Sequence, residues 1–207
     1  MIDIQRSQPP PESLAEGKSY RGEDVNARLL EDFLRKCYLC EGTLIKNFDV
    51  EHRHPLSAGG GEYDWNNLFP AHHSCNKGRP AYPPEGLLSP GEGVEQRLLQ
   101  WLDTDRLPCF SSVDPNDVLA RNTAAELDHI HRTSTDAADE LRRAIVDQLA
   151  RVLELANQLL FMQLYGEGGT VKAREVTYEL RCKVNRDAPF SVLIRSKLPA
   201  RLLESLR

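Results

Sequence analysis

Two residue pairs with the same i, i+3 spacing, Cys37/Cys40 and His72/Cys75, bracket a segment that also carries Glu51, His52, Asn67 and Asn76. Two kinds of metal chemistry fit these residue types. Structural zinc takes four thiolate or imidazole ligands in a tetrahedron, commonly delivered as two short-spaced pairs. Cys37 and Cys40 supply one pair across a knuckle turn, and His72 and Cys75 supply the other. His73 is an alternative to His72, but only His72 keeps the spacing. The competing reading is a set of unrelated buried cysteines and surface histidines. A Gly-rich segment this small has little core of its own, so its folding is expected to depend on Zn²⁺.

The residues between the pairs suit phosphodiester hydrolysis. That reaction needs a deprotonated water, neutralised charge at the phosphate and a stabilised leaving oxygen. An imidazole titrating near neutrality is a suitable general base, and His52 is the candidate. A carboxylate and an amide oxygen can hold a hard Mg²⁺ or Mn²⁺ while leaving room for water and phosphate; Glu51 and Asn76 are the candidates. Asn67, in the run NNLF, is placed to hold the catalytic loop by side-chain hydrogen bonds to backbone, which adds it to the catalytic set. Asn76 follows Cys75 directly, so a zinc ligand would fix the position of a catalytic-metal ligand.

Positioning these residues falls to a small number of elements. Residues 1–23 are polar and Pro-rich, with Pro9-Pro10-Pro11 expected as a stiff spacer. Val25, Leu29, Leu30, Phe33 and Leu34 recur at helical spacing, with Glu23 and Asp24 where the helix dipole favours acids; this helix delivers Cys37. Phe48-Asp49-Val50 reads as a strand ending at Glu51-His52, and Pro55 turns the chain away. The run Gly59-Gly60-Gly61 cannot lie inside a regular element. Residues 79–93 read as a linker or a surface-wrapping loop, and beyond them the chain is expected to be mostly helical. The clearest helix covers about 136–165, with Leu141, Ile145, Leu149, Val152, Leu153, Ala156, Leu159 and Leu160 on one stripe. Val176, Tyr178, Leu180 and Cys182 alternate as in a strand, and the apolar run Val192-Leu193-Ile194 follows. The resulting division is an arm and helix over 1–36, a zinc-bound core over 37–90 and a helical region over 91–207 for packing or partner binding.

Composition bounds the function. With 40% hydrophobic and 28% charged residues the chain of 207 is an ordinary globular one. The first fifteen residues contain no apolar segment, so no secretory signal is expected, and no run approaches the roughly 18 apolar residues of a membrane span. Five cysteines without such a signal argue for metal binding over disulfides; Cys109 and Cys182, lacking short-spaced partners, read as small core residues. The formal charge is −5, and residues 36–80 balance five basic side chains against five acidic ones. Nucleic-acid affinity rests largely on phosphate neutralisation, so the chain alone is expected to bind a polyanion weakly.

Residues 37–79 resemble the HNH, or ββα-metal, nuclease superfamily, whose pattern runs CxxC, (D/E)H, NL, CxxC(H/N). The start MIDIQRSQPPPESL, then CYLCE, VEH and DWNNLF, with the downstream helices, resembles the HNH subunit of Septu-type anti-phage systems, including the retron-associated ones. This narrower resemblance covers most of 1–165 and is loose beyond 80. It implies an α+β fold with a small zinc-stabilised ββα-metal core embedded in a mostly helical protein. It also implies a nuclease working beside an ABC-like ATPase subunit in a bacterial cytoplasm, with no membrane involvement. By position, the superfamily's first metal ligand falls on Glu51, its general base on His52, its loop-fixing asparagine on Asn67 and its last metal ligand on Asn76. His72 stands where cysteine is usual, and Glu51 where Asp or His is common. Arg79 and Lys77 are the candidate nucleic-acid contacts near a position where the family often has lysine; the alternative is a solvated surface.

Other candidates are weaker. His54 shares the loop with His52. His129 and His131 are expected to be structural or surface residues, and Trp65 and Phe69 core residues rather than base-stacking platforms. Arg142-Arg143 and the tail Arg195, Lys197, Arg201 and Arg207 would meet nucleic acid or an acidic partner, or simply solvate a helix face. The leading expectation is thus a metal-dependent nuclease acting on nucleic acid, with DNA favoured over RNA and a partner ATPase supplying the basic channel. The alternative is a non-catalytic zinc module that docks nucleic acid or protein. A free-standing restriction-type enzyme would need its own basic or base-reading element, and none is evident.

Overall fold

The structure is a computed structural model and describes residues 1–45 and 47–206. In chain order the first elements are a single helical turn α1 (Glu12–Ala15), helix α2 (Glu23–Asp32), strand β1 (Asp49–His52), strand β2 (Leu68–Ala71) and the short helix α3 (His73–Lys77). β1 and β2 pair antiparallel, Asp49 opposite Ala71 and His52 opposite Leu68, and α3 follows β2 at once. This is the expected ββα unit. Then come α4 (Val94–Arg97), a hairpin of β3 (Leu98–Leu102) and β4 (Pro108–Ser112), and five helices: α5 (Val118–Arg132), α6 (Asp136–Leu164), α7 (Val171–Val184), α8 (Ser191–Arg195) and α9 (Ala200–Ser205). The α+β character expected from the sequence, a ββα unit within a mostly helical chain, is what the structure shows.

The apolar stripe of α2 predicts its packing. Val25, Leu29 and Phe33 are buried against the sheet, where Phe33 meets Phe69 edge-on at 5.6 Å between ring centroids. The N-terminal residues are not a spacer. Met1, Ile2 and Ile4 are buried, the Arg6 guanidinium lies 4.1 Å from the Trp65 ring centroid and donates to the Trp65 and Leu68 carbonyls, and the Trp65 indole N–H donates to Ser7 O at 3.0 Å. Alternating apolar residues ahead of the prolines, at 2 and 4, make burial favourable; the polar composition of 1–23 as a whole hides that pattern. Trp65 and Phe69 are core residues.

Three expectations for the C-terminal half are corrected. Residues 176–182 are helical, inside α7, because Ala173, Val176, Leu180 and Val184 form the buried stripe while Tyr178 is 71% exposed. The Thr170 side chain caps this helix by accepting from Ala173 N at 3.1 Å. Cys182 is exposed on the same helix, not in the core, and Cys109 is half-buried. The region after 93 also contains the β3–β4 hairpin, which the expectation of a mostly helical chain leaves out. The long helix α6 runs where expected, but its buried face is Ala138, Ile145, Leu149, Val152, Leu155, Leu159 and Met162, whereas Leu160 is 53% exposed.

Residues 79–93 hold no regular element apart from turns, and they wrap rather than link. Leu88 is fully buried; its N–H donates to Thr123 Oγ1 of α5 at 2.8 Å, and its carbonyl accepts from Arg53. Helix α5 is thereby drawn onto the back of the ββα unit. No described helix is long and apolar enough to cross a membrane.

Candidate active site

The knuckle forms because α2 ends abruptly. Leu34 and Arg35 take left-handed conformations (φ 53° and 55°), which reverses the chain and sends Cys37 under β2. Cys37 N donates to Gly42 O at 2.9 Å, and Glu41 N returns to Cys37 O at 2.9 Å. Gly42 is required here, since a Cβ would stand 2.9 Å from His72 Cε1 and 3.3 Å from Cys40 Sγ. His72 arrives at the end of β2, and Cys75 from the first turn of α3.

The ligating atoms of Cys37, Cys40, His72 and Cys75 all lie within 4.8 Å of one another. His72 Nε2 faces the Thr43 carbonyl at 3.1 Å, so that nitrogen carries a proton, and Nδ1, 3.3 Å from Cys40 Sγ, offers its lone pair to zinc once its own proton is released. In a tetrahedral zinc site a sulfur and a nitrogen ligand stand about 3.6 Å apart, so this donor set fits zinc. The carbonyl-fixed tautomer is the usual outer support of a metal-bound imidazole. Burial would push the Cys37 thiol up, but hydrogen bonds from Cys40, Cys75 and His72 hold it well below the ordinary thiol range. The same hydrogen bond raises His72, and sharing the proton with Cys37 raises Cys40. His73, the alternative ligand, lies outside the cluster, with 74% of its side chain exposed and Nδ1 3.0 Å from Asp49 Oδ2.

His52 ends β1 half-buried, edge-on to Tyr20 at 4.9 Å. Its Nε2 lies 3.0 Å from the Glu62 carbonyl. A carbonyl only accepts, so in the neutral ring Nδ1 keeps the lone pair that a base needs. The loop that presents Glu62 is closed by Asn67, which is 7% exposed. Asn67 Oδ1 accepts from His54 N at 2.7 Å, and Nδ2 donates to His54 O at 2.9 Å and Gly61 O at 3.3 Å. Gly60 makes the approach possible, because a Cβ there would sit 2.0 Å from His54 O.

Asp49 and Glu51 share one face of β1 by strand alternation, and Asn76 of α3 and Arg79, two residues beyond that helix, reach the two carboxylates. Asn76 Nδ2 donates to Asp49 Oδ2 at 2.9 Å, and Asn76 Oδ1 accepts no hydrogen bond among the described residues. Glu51 Oε1 accepts from Arg79 Nη1. Arg79 Nε donates to Glu126 Oε1 at 2.8 Å, and Arg53 Nη1 to Glu126 Oε2 at 2.5 Å. Arg53 and Glu126 are each 2% exposed, Arg79 9% and Glu51 15% by side chain. The oxygens of Glu51, Asn76 and Asp49 are the hard donors that Mg²⁺ or Mn²⁺ takes.

The structure therefore brings the four thiol and imidazole candidates together, and sets Glu51, His52 and Asn76 on adjoining parts of one ββα unit. It does not leave Arg79 facing solvent, whereas Lys77 is exposed on α3. His54 is exposed and stacked on Tyr82 at 5.4 Å. His131 is buried and His129 exposed. Arg142 donates to the His131 and Thr133 carbonyls at 2.6 and 3.2 Å, a structural use. Of the basic tail, Arg207 lies outside the described residues. Sequence reasoning missed Asp49, Arg53 and Glu126. Strand alternation pointed to Asp49, and for Glu126 the signal was a carboxylate in line with the buried positions Ala120, Thr123, Ala124, Leu127 and Ile130 of α5.

Residues 37–80 match the family model for HNH endonucleases. An HNH domain implies metal-dependent nuclease activity and a nucleic-acid substrate. The match spans about a fifth of the chain and supports the HNH superfamily for that segment. No curated protein and no solved structure matches the chain.

Proposed function

We propose that the protein is an HNH endonuclease in which His52 is the general base, Glu51 and Asn76 hold the catalytic Mg²⁺ or Mn²⁺, and Cys37, Cys40, His72 and Cys75 hold structural Zn²⁺. The observation that carries this reading is the coupling of the two centres through α3: Cys75 belongs to the thiol cluster and Asn76, the next residue, projects to the face of β1 that bears Glu51. His52 Nδ1 takes the proton from water as its oxygen attacks phosphorus, and the Glu62 carbonyl holds the ring on Nε2–H as charge develops on the imidazole. Asn67 keeps the loop closed through that step. A divalent ion at Glu51 and Asn76 would polarise the scissile phosphate and stabilise the leaving oxygen. Lys77, exposed one residue beyond Asn76, is the proposed phosphate contact.

DNA is the favoured substrate, RNA the alternative. We further propose the setting that the Septu resemblance implies, an anti-phage complex with an ABC-like ATPase in a bacterial cytoplasm. The net charge of −5 supports a need for a basic partner. Leu160, Phe161, Leu164 and Tyr165 at the end of α6, 53–73% exposed, suit a protein contact. Truncation near residue 120 would not test that contact cleanly, because Glu126 and Leu127 of α5 are core residues; Phe161→Glu with Leu164→Glu would, by loss of ATPase co-purification. The nuclease reading is tested on zinc-loaded protein stripped of other divalent ions: DNA and RNA cleavage should return on adding Mg²⁺ or Mn²⁺. If a folded, zinc-loaded protein binds nucleic acid or a partner but cleaves nothing with either ion, the zinc docking module replaces it.

A further inference from the structure

Four largely buried side chains of alternating charge run from the candidate metal site to helix α5 and back to the residue after β1: Glu51, Arg79, Glu126 and Arg53. Glu126 lies in α5, well beyond the segment that matches the HNH family. A chain of this kind is costly to bury, and its members are strongly destabilising to remove singly, so its position behind Glu51 calls for an explanation. The geometry supplies one. Arg79 uses separate nitrogens for separate carboxylates, Nη1 for Glu51 and Nε for Glu126, and the rigid guanidinium fork then fixes one against the other. Glu126 is itself clamped by Arg53, whose Nε and Nη2 both donate to the Leu88 carbonyl at 2.9 and 2.6 Å. Glu51 is held at Oε1 alone; Oε2 makes no hydrogen bond among the described residues.

Resting on the reading that Glu51 is a metal ligand, we propose that Arg79 and Glu126 are positioning residues that hold the Glu51 carboxylate with Oε2 presented to the catalytic cation. Arg79 is then not a phosphate contact, and α5 is part of the active site's support. Outer-sphere partners of metal ligands commonly contribute 10- to 100-fold to metal affinity. A nearby cation also opposes metal binding through its charge, and the two effects separate by substitution. Arg79→Lys keeps the charge but loses the fork, so positioning predicts weaker binding where charge alone predicts no change. Glu126→Gln frees Arg79 from its anchor.

The test is Mn²⁺ titration of the zinc-loaded full-length protein without nucleic acid, read by electron paramagnetic resonance, with zinc content and melting temperature recorded for each variant. Arg79→Lys and Glu126→Gln should each weaken Mn²⁺ binding by about tenfold or more, and Glu51→Gln should abolish it. Should Glu126→Gln fail to fold, Arg79→Lys decides. If Glu51→Gln loses Mn²⁺ while Arg79→Lys binds within twofold of wild type, the positioning role is refuted and the ligand assignment stands. If instead Arg79→Lys keeps its Mn²⁺ affinity and raises only the KM for nucleic acid, Arg79 is a phosphate contact and the proposal is likewise refuted. If Glu51→Gln binds Mn²⁺ as wild type does, the ligand assignment itself falls.

Discussion

Replacing Asn67 with alanine removes three hydrogen bonds at once, those from His54 N, to His54 O and to Gly61 O, at 2.7, 2.9 and 3.3 Å. Each is worth about 1 kcal/mol net, and a buried partner left without water costs more. With Asn67 only 7% exposed, water cannot readily take the vacated places, so the expected loss is about 3 kcal/mol. Asn67→Asp is the sharper variant: it preserves shape and the acceptor for His54 N–H but sets a carboxylate oxygen against the carbonyls of His54 and Gly61. It should cost at least as much. Guanidinium denaturation of zinc-loaded protein measures both. Cleavage should fall as well, because Gly61 precedes the residue whose carbonyl fixes the His52 tautomer. A loss below about 1 kcal/mol for Asn67→Ala, or a well-tolerated Asn67→Asp, would refute the claim that this side chain closes the loop.

Further outcomes follow from the same geometry. Chelating zinc, or replacing Cys75 with serine, should unfold the knuckle and α3 and abolish cleavage even in added Mn²⁺, read by limited proteolysis within residues 37–80. Lys77→Ala should raise the KM for nucleic acid with kcat unchanged and lower the slope of log K against log salt by about one. Burial pushes His131 down to about 3, so it folds neutral while the unfolded chain takes up a proton near pH 6.5. Its contribution is therefore intact above pH 6.5 and is lost as pH falls from there toward 3, at about 1.4 kcal/mol per pH unit. The stability difference between wild type and His131→Leu should change by that slope between pH 6 and 5; a parallel pair of profiles would contradict it.

What the sequence made legible, and what it hid, follows from where the information resides. The knuckle pairs were readable because metal coordination demands particular residue types at short spacing. The main course of α2 and α6 was readable because burial follows a 3.6-residue period, although Leu34 and Leu160, read as part of their stripes, are exposed. Helix α7 was misread because Tyr178 and Cys182, both exposed, complete an apparent alternation with Val176 and Leu180 that only the structure breaks. The β3–β4 hairpin was hidden for the opposite reason. In β3 the exposed positions are Leu99 and Trp101, whereas buried Gln100 donates to the Met1 carbonyl at 2.7 Å, so the apolar–polar contrast that marks a strand is absent. The Arg53–Glu126 pair joins residues 73 positions apart, and no local pattern reports such a contact. Glu51 and Asn76 are candidates by residue type and by position in the family's pattern, but their contacts with Arg79 and Asp49 depend on how α3 lies across β1.

Nicking of supercoiled plasmid in Mn²⁺ by zinc-loaded wild type and His52→Ala, each alone and with the proposed ATPase, tests the nuclease and its base together. Wild type should cleave and His52→Ala should be at least about 100-fold slower, with zinc content and melting temperature unchanged. Equal cleavage by the two proteins would contradict His52 as the base, and no cleavage of plasmid or RNA by a folded, zinc-loaded wild type, with or without the partner, would contradict the nuclease itself.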